Sequence, residues 1–330
     1  MKNIGAAFNL LMRTLPIVGV RLGVMLLFWV AALIYLAITG GIALLIGQAV
    51  DWLGFIIFII AVAGIAPLYN LAYRYVFYMI KAAHIAVMAE LLKNNSLPEG
   101  TGQLAWGKQK VQERFGEMNV MFVVDEMVNA IVRAFTRTVY NIATWLPGDT
   151  AEQIVSIVNR VIMYATNYID EAILARSFWV ESENPWANAR DGVVLYAMVW
   201  KRMLMPAIWL MVLSLATALG AFLILAAPVG LIVGVINAKL AGWAIIFALV
   251  LGWFIKAAVG DALAVAAILI TYKEETEGLT PDPEMAQKLD NVSDKFRELT
   301  ARARDAVGFG NKSAEQEPPQ APLPGESPTA

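Results

Sequence analysis

The sequence predicts an all-α polytopic membrane protein, with four transmembrane helices in two hairpins plus amphipathic cytoplasmic helices. Three observations predict it. The run from Met203 to Tyr272 carries only Lys239, Lys256 and Asp261 as charges, and a second run, Leu22 to Tyr73, carries only Asp51. Hydrophobic residues make up 59% of the chain and the mean hydropathy is +0.61, which places it outside the soluble class. Ten tryptophans and ten tyrosines suit anchoring at headgroup depth, where amphipathic rings are favoured.

Residues 3 to 15 put Ile4, Ala7, Phe8, Leu11 and Leu15 on one face, the spacing of an amphipathic helix that can lie in the headgroup plane. Residues 1 to 21 hold Lys2, Arg13 and Arg21 and no acid. The apolar stretch that follows is too long for the core of a cleaved signal, so it reads as a retained first span, redirected at Pro16 and running from Leu22 to Ala49. The return span begins at Trp52. Tyr69, Tyr73, Tyr75 and Tyr78 beside Arg74 and Lys81 mark a membrane boundary, and the positive-inside rule makes that side the cytoplasm, with both termini on it.

NNSLPEGTG at 94–102 is a loop by its turn residues. The next stretch reads as surface-lying or soluble helices. One runs from Met118 to Trp145 and stops at LPGD (146–149); another runs from Asp149 or Thr150 to about Val180, and the two pair as a helical hairpin. A turn at 182–192 leads into an amphipathic segment, Val193 to Trp200, and then the third span, Met203 to about Ala227. APVG at 227–230 is expected to bend the chain, leaving Leu231 to Asn237 either as more span or as an outer loop. The fourth span starts at Leu240, is short if it ends at Ile255, and otherwise continues to Tyr272. A charged helix at 284–306 follows, and the proline-rich residues 311–330 cannot bury enough apolar surface to fold. The organisation is therefore 1–95, a first membrane hairpin with its amphipathic lead-in; 96–184, a cytoplasmic helical region; 185–280, a second hairpin with its lead-in; 281–310, a cytoplasmic helix; and 311–330, a tail.

The two hairpins also echo each other. MIKAAHIAVMAELL from Met79 and FIKAAVGDALAVAAIL from Phe254 share IKAA followed by an alanine-rich helix, and each hairpin is approached through an amphipathic stretch, a basic residue and a proline. A tandem repeat of two spans per copy would relate the copies by an axis along the membrane normal.

Four patches carry a family resemblance: AFNLLMR (7–13), YIDEAILARSF (168–178), NARDGVVL (188–195) and YKEE (272–275). Together they resemble the membrane-approach and C-terminal segments of the choline-transporter-like family. The resemblance implies a helical membrane architecture and a role in transport, and it carries over no substrate-binding residue. The chain departs from that family in having four spans in place of a larger set, no cysteine-bearing motif, and a helical cytoplasmic insertion.

Candidate chemistry is sparse. The absence of cysteine excludes disulfides, thiolate nucleophiles and cysteine-ligated metals. GQLAWGKQ at 102–109 has the letters of a phosphate-binding loop, but Gln109 stands where Ser or Thr would reach magnesium and no strand precedes it, so Gly102 and Gly107 read as turn residues. His84 is the only histidine, and metal-ligating histidines come in company; it reads as an amphipathic-helix residue near the inner boundary. Asp170 and Glu171 read as a solvated face near Arg176 or Lys201, and Glu274, Glu275 and Glu277 as a solvated helix end.

Lys256, Asp261 and Lys81 are the candidate functional charges at the membrane boundary, because ionisable groups in or near a span are costly. A spacing of five does not bring Lys256 and Asp261 together on an ideal helix, so each is expected to find another partner, Asp261 on a basic lead-in helix, with Lys256 snorkelling. Gly230 and Gly234 form a GxxxG that suits close helix packing.

No catalytic constellation and no cofactor site emerges, and the basic clusters are too few for nucleic acid. The expected partners are the lipid bilayer, a second copy in a homo-oligomer, and a soluble protein. The expected function is an inner-membrane transport or channel-like component of unknown substrate; the alternative is a non-catalytic scaffold that recruits a cytoplasmic protein through its central helices and tail.

Overall fold

The computed structural model describes residues 3–98, 100–116, 118–140, 166–180, 184–236 and 244–314, and among them every regular element is a helix. Four are long and apolar enough to cross a membrane: Leu15–Gly47, Asp51–Asn94, Pro206–Val235 and Ala244–Thr276. Their outward faces are greasy, with Leu44 at 74%, Ile224 at 76% and Val235 at 87% exposure. In water such surface would be far larger than a soluble monomer tolerates, so its solvent is lipid.

The first hairpin begins with α1 (Ile4–Arg13) and α2 (Leu15–Gly47). Pro16 lies in the first turn of α2, where a missing amide costs nothing. Ala7, Leu10 and Leu11 of α1 are buried, while Phe8 and Leu15 of the expected apolar face are exposed. The helix packs on protein, against the later helix Asp261–Thr276, so the face it buries is set by that contact. The return arm is α3 (Asp51–Ala72), a π turn (Tyr73–Phe77) and α4 (Tyr78–Asn94). Gly54 lets α3 close on α2, since a Cβ there would stand 2.5 Å from the Ala43 carbonyl oxygen.

Two helices, α5 (Gln103–Phe115) and α6 (Met118–Tyr140), follow, then a short 3-10 turn (Thr166–Tyr168) and α7 (Ile169–Trp179). The expected stop at LPGD and the first part of the helix after it lie outside the described residues. Gly107 is not a turn residue: it sits inside α5 where that helix crosses α4, and a Cβ on it would meet the Ala83 carbonyl oxygen at 2.3 Å. Gly102 does stand at a boundary, in extended conformation just before α5.

The second hairpin differs from expectation in its outgoing arm. α8 runs unbroken from Pro185 to Ile236, through both Pro206 and Pro228, so the amphipathic lead-in and the third span are one helix, which continues through APVG. Prolines are tolerated within membrane helices because neighbouring groups satisfy the freed carbonyls. Residues 231–236 are thus a continuation of the span. The return arm is α9 (Ala244–Ile255), a second π turn (Lys256–Gly260) and α10 (Asp261–Thr276).

Both return arms outlast the membrane. At 1.5 Å per residue, Asp51–Asn94 is about 66 Å long, roughly twice a hydrocarbon core. Past the π turns, α4 and α10 are buried nearly all round, from Tyr78 to Leu91 and from Ala262 to Tyr272, and they form the core of an extramembrane helical layer with α1, α5, α6, α7 and the start of α8. Burying residues such as Ile268 and Leu269 there contributes about 1.5–3 kcal/mol each. The patches quoted above meet in this layer: the Tyr272 hydroxyl donates to the Gly192 carbonyl at 2.9 Å, and Arg176 donates to the Asn188 carbonyl at 3.2 Å.

The C-terminal charged segment is two helices, α11 (Pro283–Val292) and α12 (Asp294–Ala314), in place of the single one expected. Ser293 breaks them with an extended backbone, and Asp282 caps α11 by accepting from the Glu284 amide at 2.9 Å. Leu289, Phe296 and Leu299 dock this pair on α6 and α8. α12 continues past residue 310, and the rest of the tail, 315–330, lies outside the described residues.

Candidate functional site

Where the spans meet the helical layer, the protein encloses an open cavity of about 1000 Å³. Its membrane side is formed by Arg21 and Met25 of α2, Tyr69 and Tyr73 of the first return arm, and Trp253 of α9; its other walls come from α4, α6, α7, α10 and α12. All three boundary charges singled out in the sequence, Lys81, Lys256 and Asp261, line it.

Lys256 and Asp261 pair with each other, against expectation. The Lys256 ammonium lies 2.8 Å from Asp261 Oδ1 and 3.0 Å from Oδ2. The physical reason is the π turn between them: it hydrogen-bonds with an i→i+5 period, so residues five apart, splayed on an α-helix, share a face. Asp261 is further held by the Ser214 hydroxyl at 2.5 Å and the Tyr168 hydroxyl at 2.8 Å. It does not reach a basic lead-in helix. Nor does Lys256 snorkel: it is 3% exposed, with its ammonium 4.9 Å from the centre of the Trp253 ring.

Lys81 organises a second cluster. Its ammonium lies 2.6 Å from Glu171 Oε1, and the neighbouring carboxylates Asp125 and Asp170 line the same wall. Asp170 accepts from the Asn129 amide and bonds the Glu171 backbone N–H at 2.9 Å. Asp170 and Glu171 are therefore not a solvated face: both are buried, at 4% and 7% exposure, and neither Arg176 nor Lys201 is the partner. Asp125 and Glu171 each keep one buried carboxylate oxygen without a hydrogen-bond partner among the described residues.

Three carboxylates around one lysine cannot all be comfortable as anions. Burial pushes Asp125 up to about 6; the charges of Glu171 and Glu126 add to the rise, while Lys81 and a hydrogen bond from Tyr78 oppose it. Burial, then repulsion from Asp125 and Glu171, holds Asp170 well above the usual carboxylate range, against the pull of Lys81 and Asn129.

A stability profile follows from the sign of these shifts. Between about pH 4 and 6 the folded protein keeps a proton on Asp125 that the unfolded chain has lost, so stability falls as pH rises through that window. Asp125→Asn is expected to remove that loss, raising stability at pH 7.5 by about 2 kcal/mol and flattening the slope between pH 4 and 7. Unfolding in detergent across that range measures it; an unchanged slope in the variant would contradict the assignment.

The remaining sequence candidates lie elsewhere. His84 is buried in α4, which has no polar face there, so it is not on an amphipathic surface; its Nε2 lies 2.9 Å from the Thr14 hydroxyl and ties the two arms of the first hairpin together. Among Glu274, Glu275 and Glu277 at the helix end, Glu275 pairs with Arg202 at 3.1 Å and Glu274 accepts from Asn3 at 2.8 Å. No group of three or more His, Asp or Glu side chains among the described residues is arranged to hold a metal ion. The cavity's lining brings charged and polar groups of both signs within reach of a polar or charged solute. No family model matches the chain, and neither a curated protein nor a solved structure is significantly similar to it.

Proposed function

We propose that the protein is a transport or channel-like component of the cell's inner membrane, and that the cavity is its substrate vestibule on the cytoplasmic side. One observation carries this reading: each hairpin's return arm delivers a lysine to the same open cavity at the membrane boundary, where Lys81 pairs with Glu171 of α7 and Lys256 with Asp261 of its own arm. Replacing a buried ion pair with apolar groups of similar volume is often neutral or stabilising, so two such pairs at the end of apolar spans point to use on a solute.

The tandem repeat fits this arrangement. Lys81 and Lys256 occupy equivalent places in IKAA; Lys256 opens a π turn, whereas Lys81 stands four residues past the end of the other, and π turns concentrate at functional sites. The scaffold alternative would recruit a soluble protein with the central helices. Among the described residues of those helices, Met121, Val124, Val128 and Ile131 of α6 and Ile169 to Ala175 of α7 are buried within the protein itself, which favours transport.

Reconstituted vesicles test the reading. Osmotic swelling is followed by light scattering with a panel of small zwitterionic, cationic and anionic solutes. At least one solute is expected to enter faster than into protein-free vesicles, and Lys256→Met or Asp261→Asn to slow it about tenfold or more. Swelling equal to protein-free vesicles for the whole panel would count against transport.

A further inference from the structure

Beside the polar cavity, an apolar groove lies along the same face of α2. Arg21, Met25, Phe28, Ala32 and Tyr35 follow spacings of three and four and form one stripe. Arg21 and Met25 line the cavity, whereas Phe28, Ala32 and Tyr35 line a separate depression of about 570 Å³ whose far wall is the first return arm, including Leu68 and Ala72. Phe28 joins the two, standing edge-on to Tyr69 at 5.8 Å and to Phe77 at 5.7 Å, both of which face the cavity. The groove exists because Ala31, Ala32 and Ala72 are small where the neighbouring side chains are large, and its lining is apolar apart from two tyrosines.

Charge at the junction is not balanced. Lys81 and Lys256 each have a carboxylate at contact distance, but Arg21, half-buried on the cavity wall, has no carboxylate partner among the described residues. An anionic group beside Arg21 attached to a hydrocarbon chain in the groove would satisfy both ends at once. The groove lies between two lipid-facing spans, so the bilayer is the source of that chain. Guanidinium groups bind phosphate by charge-assisted, often paired, hydrogen bonds.

We propose that this composite site holds one phospholipid of the surrounding bilayer, its phosphate against Arg21 and one acyl chain in the groove between α2 and the first return arm. The assignment rests on the reading of the cavity as a ligand site and is independent of whether a solute is transported.

Native mass spectrometry of the full chain released from mild detergent tests it. The expected spectrum shows one phospholipid retained per chain. Arg21→Gln, which removes the charge, and Ala32→Trp, which fills the groove, should each lower the retained fraction about tenfold, with Ala31→Leu as a milder filler if the tryptophan impairs folding. Leu44→Trp, on the exposed face of α2, should leave it unchanged. Equal retention in all four variants would overturn the proposal, the lipid then being annular. A lipid-free dimer would overturn it by showing a second copy over the groove, as would a retained amphiphile without phosphate. Loss of the lipid assignment while a cysteine at Ala257 still reacts from water would leave the cavity itself standing.

Discussion

Replacing Lys81 with methionine is expected to destabilise the protein by about 3–5 kcal/mol near neutral pH, the range for removing one partner of a buried ion pair. Methionine keeps most of the volume, so packing is not the cause. The loss is electrostatic: Glu171, 2.6 Å away, loses its counter-ion, and Asp125 and Asp170 lose a cation that offsets their mutual repulsion. Two features separate this account from a simple packing defect. Lowering the pH should shrink the deficit as the carboxylates take up protons, and adding Glu171→Gln to Lys81→Met should recover much of it. Unfolding in detergent at pH 7.5 and pH 5 measures both; a deficit under about 1 kcal/mol that does not vary with pH would remove Lys81 from the centre of the cluster.

The second large effect is at Asp261. Asp261→Asn retains an acceptor for Ser214 and Tyr168 but removes the negative charge 2.8 Å from the ammonium of Lys256, which is only 3% exposed. A cost of about 3–5 kcal/mol is expected at pH 7.5. The double substitution Lys256→Met with Asp261→Asn should return to within about 1 kcal/mol of the native protein, giving a coupling energy well above that of a surface pair. Additive effects in this cycle would mean that the two charges are solvated separately and that the π turn is not what joins them.

The membrane half of the fold was readable because long apolar runs are a direct statement about solvent: Leu22–Ala49 and Met203–Ala227 overlap most of two of the four long helices, Leu15–Gly47 and Pro206–Val235. The cavity was half readable. Lys81, Lys256 and Asp261 stand out as charges in apolar text, but their pairing depends on a π turn, and KAAVG gives no sign that the helix will change period there. Asp170 and Glu171 were misread because two adjacent acids look like surface and their counter-ion lies far away in sequence. A signal was present: Ile169, Ala172, Ile173, Leu174 and Ala175 leave α7 no polar face, and a helix that is apolar all round is buried. Acids on such a helix must be buried with it. The uninterrupted α8 was missed because proline was weighed as in water, where it breaks helices, although in a membrane neighbouring groups can supply what it removes.

The account rests on an aqueous cavity reaching the buried pairs at the membrane boundary, and the chain's lack of cysteine makes that directly measurable. Ala257→Cys places a thiol on the cavity wall beside Lys256, and Leu223→Cys places one on the lipid-facing side of α8, where the residue is 65% exposed. In sealed vesicles, a charged, membrane-impermeant thiol reagent is expected to label Ala257→Cys from one side only, within about tenfold of the rate at an exposed position such as Glu113→Cys, and to leave Leu223→Cys unlabelled. If Ala257→Cys proved as inert as Leu223→Cys from both sides, the cavity would be closed to water and the functional reading of Lys81, Lys256 and Asp261 would fall with it.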